Sequence, residues 1–320
     1  MTKTVTIAFG AILALLGVLG FVSNPLIGPN AIFAGLPNIV VEVNGRRIQD
    51  SMIPATGTVN PGATLLDLSA FGKNAVKKVR IWTTSSFVNL CGQGFYTEPS
   101  ASLWFDETPD QLNITVEGDS LTQGGYNSPY RPGDDWVSQV CDRLGATNFA
   151  NFAVGGTGFI SDNGGIKTTY IERLSRLVET RPDVLIVAGN HNDVSYTSAQ
   201  RQQAVSDYLR QARQLLPDAL IIVFGNNPLT GENSASGALL AAEQDLAAVV
   251  DQLDDPGIVF YPIGMDPNGP WITGTGTVDA PNNTGNMDRF YTTADGHPLQ
   301  RGYDYFAQRY LRAIRDVFGS

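Results

Sequence analysis

The alternation of apolar and polar positions divides the chain into three stretches with different periods. The first is the run from Val5 to Val22, VTIAFGAILALLGVLGFV, with Lys3 the only charge ahead of Glu42. A lysine followed by an apolar run of this kind has the form of a signal peptide or a short membrane anchor, so residues 1–36 are expected to serve export by one of those routes. A buried N-terminal helix is the alternative. The second stretch, 37–110, carries short β-branched and aromatic runs punctuated by Pro and Gly. Ile39–Val43 meets Asn44-Gly45, a strong hairpin signal, and Arg46–Asp50 returns; Thr64–Leu68, Lys77–Thr83 and Ala101–Phe105 follow. No helix-length period occurs there, and a small all-β domain is predicted.

From Leu112 the pattern changes to short apolar runs alternating with longer stretches of helical period. Strands are predicted over Leu112–Glu117, Asn148–Val154, Asp183–Gly189, Ala219–Gly225 and Gly257–Ile263. Helices are predicted over Asp135–Leu144, Tyr170–Thr180, Ala199–Leu216, Gly237–Leu253 and Gln300–Phe318. The Tyr170 helix should bury Ile171, Leu174 and Val178, and the last helix Phe306, Tyr310, Ile314 and Val317. Strands that are apolar throughout are buried on both faces, which predicts a parallel sheet and an α/β domain over 111–320.

Composition narrows the function. A hydrophobic share of 42% supports a real core, and 16% charged residues with 34 glycines suits a loop-rich fold. The net charge of −10 and the lack of a basic stripe exclude a nucleic-acid partner. The longest basic cluster, Lys77-Lys78-Arg80, reads as the solvated edge of a strand. Cys91 and Cys141 have no metal-ligand spacing; they are either small core residues or one disulfide in an oxidising compartment.

Open α/β sheets place their sites at the carboxyl ends of the strands. After the first predicted strand come Gly118-Asp119-Ser120-Leu121, after the second Gly155-Gly156-Thr157-Gly158, and after the third Asn190-His191-Asn192-Asp193; Asp295-Gly296-His297-Pro298 precedes the last helix. Singly, each has a plain structural reading as a cap or a turn. Together they supply the parts of acyl transfer. A serine hydroxyl needs a base, and the chain has two histidines. His297 has Asp295 two residues before it to orient the ring; Asp288 or a backbone carbonyl is the rival for that task. His191 lies beside Asn192. The N–H of Ser120, the N–H of Gly156 and the Asn192 side-chain amide are candidate oxyanion donors, each worth on the order of 3 kcal/mol in the transition state.

These segments resemble the conserved blocks of the SGNH (GDSL-type) hydrolases. Gly118–Leu121, GDSL, is similar to block I; Asn151–Thr157, NFAVGGT, to block II; Gly189–Asp193, GNHND, to block III; and Asp295–Pro298 to block V. The resemblance covers Leu112 to Ser320. It implies a three-layer α/β/α sandwich with a flavodoxin-like parallel sheet and a serine esterase without metal or organic cofactor. The implied roles are Ser120 nucleophile, His297 base, Asp295 orienting acid, and Ser120 N–H, Gly156 and Asn192 as oxyanion donors. Two places depart from the pattern. Block III usually has glycine two residues before its asparagine, where this chain has Asn190 with Gly189 one earlier. Block V usually has aspartate three before its histidine, where this chain has Ala294. The preceding β segment resembles the small jelly-roll-like domain of some bacterial carbohydrate esterases, which points to short-chain acyl esters of saccharides, acetyl above all. The same residues would serve acyl transfer to a sugar acceptor, and a surface or virion binding module on this scaffold is the non-enzymatic alternative.

Overall fold

The computed structural model describes residues 3–9, 39–44, 46–47, 77–83, 101–105, 112–124, 133–146, 148–294 and 296–319. The chain forms two compact units, Met1–Asp110 with Arg131–Gly133, and Gln111–Tyr130 with Asp134–Ser320.

The first unit holds a five-stranded antiparallel sheet of β1 (Lys3–Phe9), β2 (Ile39–Val43), β3 (Arg46–Arg47), β4 (Lys77–Thr83) and β5 (Ala101–Phe105), in the order β3-β2-β4-β1-β5. Three of these strands coincide with the runs predicted at Ile39, Lys77 and Ala101. Thr64–Leu68 and Cys91 lie outside the described residues. Two features differ from the sequence reading. The start of the apolar N-terminal run is a strand, paired with both β4 and β5. Thr4-Val5-Thr6-Ile7 alternates polar and apolar with the period of two that a strand needs, and the longer run that follows hides it. β4, which carries the basic cluster, is the central strand of the sheet and not an edge strand. Glu42 of β2 is the register partner of Arg80 in β4.

The second unit is built on a five-stranded parallel sheet of β6 (Asn113–Gly118), β7 (Asn148–Asn151), β8 (Val184–Ala188), β9 (Leu220–Phe224) and β10 (Ile258–Tyr261). Its order, β10-β9-β8-β6-β7, is the flavodoxin-like winding, with the topological switch between β6 and β8. Alternate strand residues face opposite layers. Leu185, Val187, Ile221 and Val223 pack against α3 (Tyr170–Leu177), α4 (Ser198–Leu215) and α5 (Gly237–Leu253), through Leu174, Leu177, Val205, Leu209 and Leu246. On the other face lie α2 (Trp136–Leu144) and α7 (Gln300–Phe318), where Tyr310 stacks on Trp136 at 3.8 Å and meets Phe224 edge-on at 4.7 Å. The sandwich therefore has three layers, and its strands are apolar because both faces are covered.

Most predicted boundaries move by one or two residues. In α3 the inner face is Tyr170, Arg173, Leu174 and Leu177, while Ile171 and Val178 flank it half-buried. Arg173 belongs to that face because it pairs with the buried carboxylate of Glu117. In α7, Phe306, Tyr310 and Ile314 are buried as expected, whereas Val317, one residue from the helix end, is half-buried. Cys141 is buried in α2. Among the described residues no helix is long and apolar enough to cross a membrane.

Candidate active site

β6 delivers Gly118-Asp119-Ser120 at its carboxyl end. The chain turns at once into α1 (Ser120–Gln123). A Cβ on Gly118 would lie 2.7 Å from the Cβ of Thr122, so only glycine allows the turn to fold back. Asp119 caps α1, its Oδ1 accepting from the Leu121 N–H at 2.9 Å. Burial pushes the Asp119 carboxyl up to about 6, against the opposing pull of His191 and the Leu121 N–H. Ser120 begins α1 and is half-buried.

The turns after β7 and β8 are fastened to this one. Gly155 N–H donates to Gln123 Oε1 of α1 at 2.6 Å. Gly156 has a φ of +78°, open to glycine at little cost. Asp193, after β8, accepts from the N–H groups of Phe159, Ile160 and Ser161 at 2.8, 3.3 and 2.8 Å. A Cβ on Gly158 would come within 2.5 Å of that carboxylate, so glycine there is what lets Asp193 reach in. The Asn192 amide closes the set, donating to the Thr157 carbonyl at 2.9 Å and lying 3.4 Å from Asp119 Oδ2. Among the described residues neither the Ser120 N–H nor the Gly156 N–H is spent on an acceptor.

The block III departure has a physical reason. Gly189 takes the left-handed φ of +75°, and a Cβ there would lie 3.0 Å from Asn226 Oδ1. Asn190, fully buried, exchanges hydrogen bonds with Asn226: its N–H donates to Asn226 Oδ1 at 2.7 Å, and Asn226 Nδ2 donates to Asn190 Oδ1 at 2.8 Å. Glycine is needed one residue earlier because position 190 holds the β9 loop. Glu243 of α5 fixes that loop in turn, accepting from the N–H groups of Asn226, Ile263, Gly264 and Met265, each at 2.9 Å.

Beneath the turns lies a buried ion pair that the sequence did not announce. Glu117 Oε1 meets Arg173 Nη2 at 2.6 Å, and Arg173 also donates to Thr157 Oγ1 at 3.1 Å and to the Thr168 carbonyl. Burial pushes Glu117 up to about 7, against the lowering effect of Arg173. Glu117 occupies the inward face of a strand that reads as apolar, and its partner is 56 residues away, so no local pattern connects them.

The histidine side is built differently. His297, 9% exposed, stands on a loop between α6 (Met287–Phe290) and α7. Tyr291 bridges Pro298, and Leu299 N–H donates to Phe290 O at 2.7 Å. The loop after β9 grips this segment. Thr230 N–H donates to Gly296 O at 2.9 Å, Thr230 Oγ1 to Thr292 O at 2.8 Å, and Tyr291 Oη to Pro228 O at 2.7 Å. The Asp119 charge helps to raise both His191 and Tyr291, the latter at the start of the segment that leads to His297. Asp295 lies outside the described residues. Asp288 lies in its own loop, where Oδ2 accepts from the Asn283 N–H at 2.6 Å and Oδ1 is buried without a hydrogen-bond partner.

His191 is placed between the two sides. Its Nε2 meets Glu232 Oε2 at 2.7 Å, and that oxygen also accepts from the Leu229 N–H at 2.7 Å. Burial pulls the His191 pKa down, but the Glu232 bond and the charges of Asp119, Glu232 and Asp193 outweigh it, and the net shift is upward. Glu232 is lowered by its partner in spite of its own burial. Glu232, in an irregular loop, carries no sequence signal that would have marked it.

A serine at the start of α1, a glycine turn and an asparagine amide at the switch point of a flavodoxin-like sheet define an SGNH α/β hydrolase. Residues 116–305 match the GDSL-like lipase/acylhydrolase family model, and the chain belongs to that family; it is an esterase in class. No curated protein matches the chain. Among solved structures it is similar to a family two carbohydrate esterase from Clostridium thermocellum in complex with cellohexaose, at 16% identity and a TM-score of 0.60, covering 99% of this chain and 90% of that one. It is also similar to an acetyl xylan esterase from the rumen bacterium Butyrivibrio proteoclasticus, at 16% identity and a TM-score of 0.58, covering 99% and 88%. A salicylyl-acyltransferase from a tetracycline biosynthetic pathway is similar at 14% identity and a TM-score of 0.58, covering 99% and 80%. At these identities the likeness bears on the fold.

Proposed function

We propose that the protein removes short acyl groups, acetyl above all, from saccharide esters through a serine acyl-enzyme. The observation that carries this is the joining of the Ser120, Gly156 and Asn192 turns through the Asn192 amide, with the N–H groups of Ser120 and Gly156 left without an acceptor among the described residues. Ser120 Oγ attacks the ester carbonyl while His297 takes its proton. The oxyanion is held by the Ser120 and Gly156 N–H groups and by the Asn192 N–H that is only loosely engaged by Asp119. His297 then protonates the departing sugar oxygen, and later takes a proton from the water that releases the acid. Asp295 orients His297. The histidine assignment is supported by the competing histidine being occupied, since His191 Nε2 is committed to Glu232. Nothing in this reaction calls for a metal or cofactor.

The saccharide preference is supported by the likeness to a carbohydrate esterase in complex with cellohexaose and to an acetyl xylan esterase, and by the antiparallel β unit that precedes the catalytic one in sequence. In this reading the protein is exported, and Lys3–Phe9, which pairs with β4 and β5, stays with the β unit. Turnover of p-nitrophenyl esters across a chain-length series, then of acetylated xylan, tests the proposal. Activity highest on acetate, with acetate released from xylan, is expected. A preference for long acyl chains and none for acetylated saccharide would overturn the substrate class. Transfer to added saccharide in preference to water would make the reaction acyl transfer by the same residues.

A further inference from the structure

One cation reaches the glycine turn from outside the residues assigned so far. Lys167 stands just past a left-handed loop, with φ of +57° at Asn163, +74° at Gly164 and +80° at Gly165. The loop is closed by the Lys167 N–H on the Asp162 carbonyl and the Gly165 N–H on Asp162 Oδ1, both at 2.8 Å. From there the Lys167 ammonium donates to the carbonyl oxygen of Gly155 at 2.5 Å. That carbonyl belongs to the same peptide unit as the Gly156 N–H. A charged donor on the oxygen of an amide withdraws electron density through the C–N bond and makes its N–H a stronger donor, the same cooperativity that runs along hydrogen-bond chains. The unit is also held on either side, by Gln123 on the Gly155 N–H and by Ser161 Oγ on the Gly156 carbonyl at 3.1 Å.

We propose that Lys167 is a positioning residue for the esterase reaction, orienting and polarising the Gly155–Gly156 peptide so that its N–H binds the oxyanion. This rests on the reading of Ser120 as nucleophile and Gly156 as oxyanion donor. Lys167 does not touch the reacting atoms. Its stem is exposed, so solvent screens the charge, and the effect is smaller than loss of a whole donor.

The test compares Lys167→Met, Lys167→Gln and Lys167→Arg with the parent and with Ser120→Ala and Gly156→Ala, on p-nitrophenyl acetate. A loss of kcat of about tenfold is expected for Lys167→Met, a small fraction of the hundredfold or more that a whole donor is worth. KM and the unfolding midpoint should hold. Lys167→Arg should restore most of the turnover, and Lys167→Gln, which donates without charge, should fall between. Phenylboronic acid, which becomes a tetrahedral borate on Ser120, should bind Lys167→Met more weakly by about the same factor as the loss in kcat/KM. Unchanged kcat and boronate affinity in Lys167→Met, with Ser120→Ala inactive, would overturn the role of Lys167 alone. A loss matched by a lower unfolding midpoint and not mended by arginine would make Lys167 a loop tether and overturn it too. Full activity of Gly156→Ala or of Ser120→Ala would overturn the reading of the site beneath it.

Discussion

The nucleophile side and the histidine side of the site are held together by different means. On the nucleophile side each functional residue follows a strand closely, and each turn is fixed by a buried side chain. Asp119 caps α1, Asp193 gathers three backbone N–H groups, and Glu117 with Arg173 ties β6 to α3 and to Thr157. On the histidine side, His297 comes after a long irregular stretch beyond β10, and its loop is held by a main-chain bridge between Tyr291 and Pro298 and by hydrogen bonds from the Thr230 N–H and hydroxyl and the Tyr291 phenol. The first arrangement fixes the turns that carry the proposed oxyanion donors. The second makes the position of His297, the proposed base, depend on the fit of one loop against another. The lesson is that the pocket should be sensitive to single buried polar changes, and the base to changes at the contact between loops.

The largest effects should come from the reacting groups. Ser120→Ala and His297→Ala should each lower kcat on p-nitrophenyl acetate by roughly three or more orders of magnitude with folding intact. His191→Ala should keep measurable turnover. Activity should rise with pH as His297 loses its proton, since the neutral ring is the base. A dead His191→Ala beside an active His297→Ala would exchange the two roles.

Beneath the pocket, Glu117→Gln leaves Arg173 buried without its counter-charge and should cost about 3–5 kcal/mol of stability by urea unfolding at pH well above 7, where Glu117 is ionised, and less at lower pH. A loss under about 1 kcal/mol would show that the pair does not brace the turns. Next comes Asn192→Ala, which should reduce kcat by about a hundredfold or more with little change in KM; an unchanged kcat would confine Asn192 to holding Thr157 and Asp119 in place.

On the histidine side Asp295→Asn should cut turnover by more than about tenfold, a barrier change near 1.4 kcal/mol. A smaller drop would leave a Ser–His dyad. The smallest effect concerns His191 and Glu232, which join the two sides. His191 has its pKa raised in the fold, so its contribution is present at low pH and is lost as pH rises through the folded value. Glu232 has its pKa lowered, so its contribution is present at high pH and is lost as pH falls through the folded value. The pair is intact only between the carboxylate's range and the histidine's. The difference in unfolding midpoint between the parent and Glu232→Gln should be greatest in that interval, and a difference independent of pH would contradict the pairing.

The same contrast governs what could be read from the sequence. The parallel sheet and its five strands were legible because most are largely apolar runs alternating with helical stretches, and the candidate positions Ser120, Gly156 and Asn192 because they lie in the turns that follow three of them. Asp193 was visible as part of block III, but its grip on the 159–161 backbone was not, since that depends on glycine at 158 and on distance in space. Glu117 with Arg173 and His191 with Glu232 join residues far apart in sequence, and periodicity holds no information about such pairs. The strand Lys3–Phe9 was obscured because its short alternation merges into a long apolar run. His297 was found by its chemistry, there being only two histidines, and not by any pattern around it.

The central claim is that Ser120 is the nucleophile, and its most direct test is covalent. The full-length protein is treated with a fluorophosphonate, digested and mapped by mass spectrometry, with Ser120→Ala and His297→Ala treated alongside. The account predicts one phosphonyl adduct on Ser120 in the parent, none in Ser120→Ala and a greatly slowed adduct in His297→Ala. A folded parent that takes up no phosphonate, or that carries it on another residue, would contradict the account.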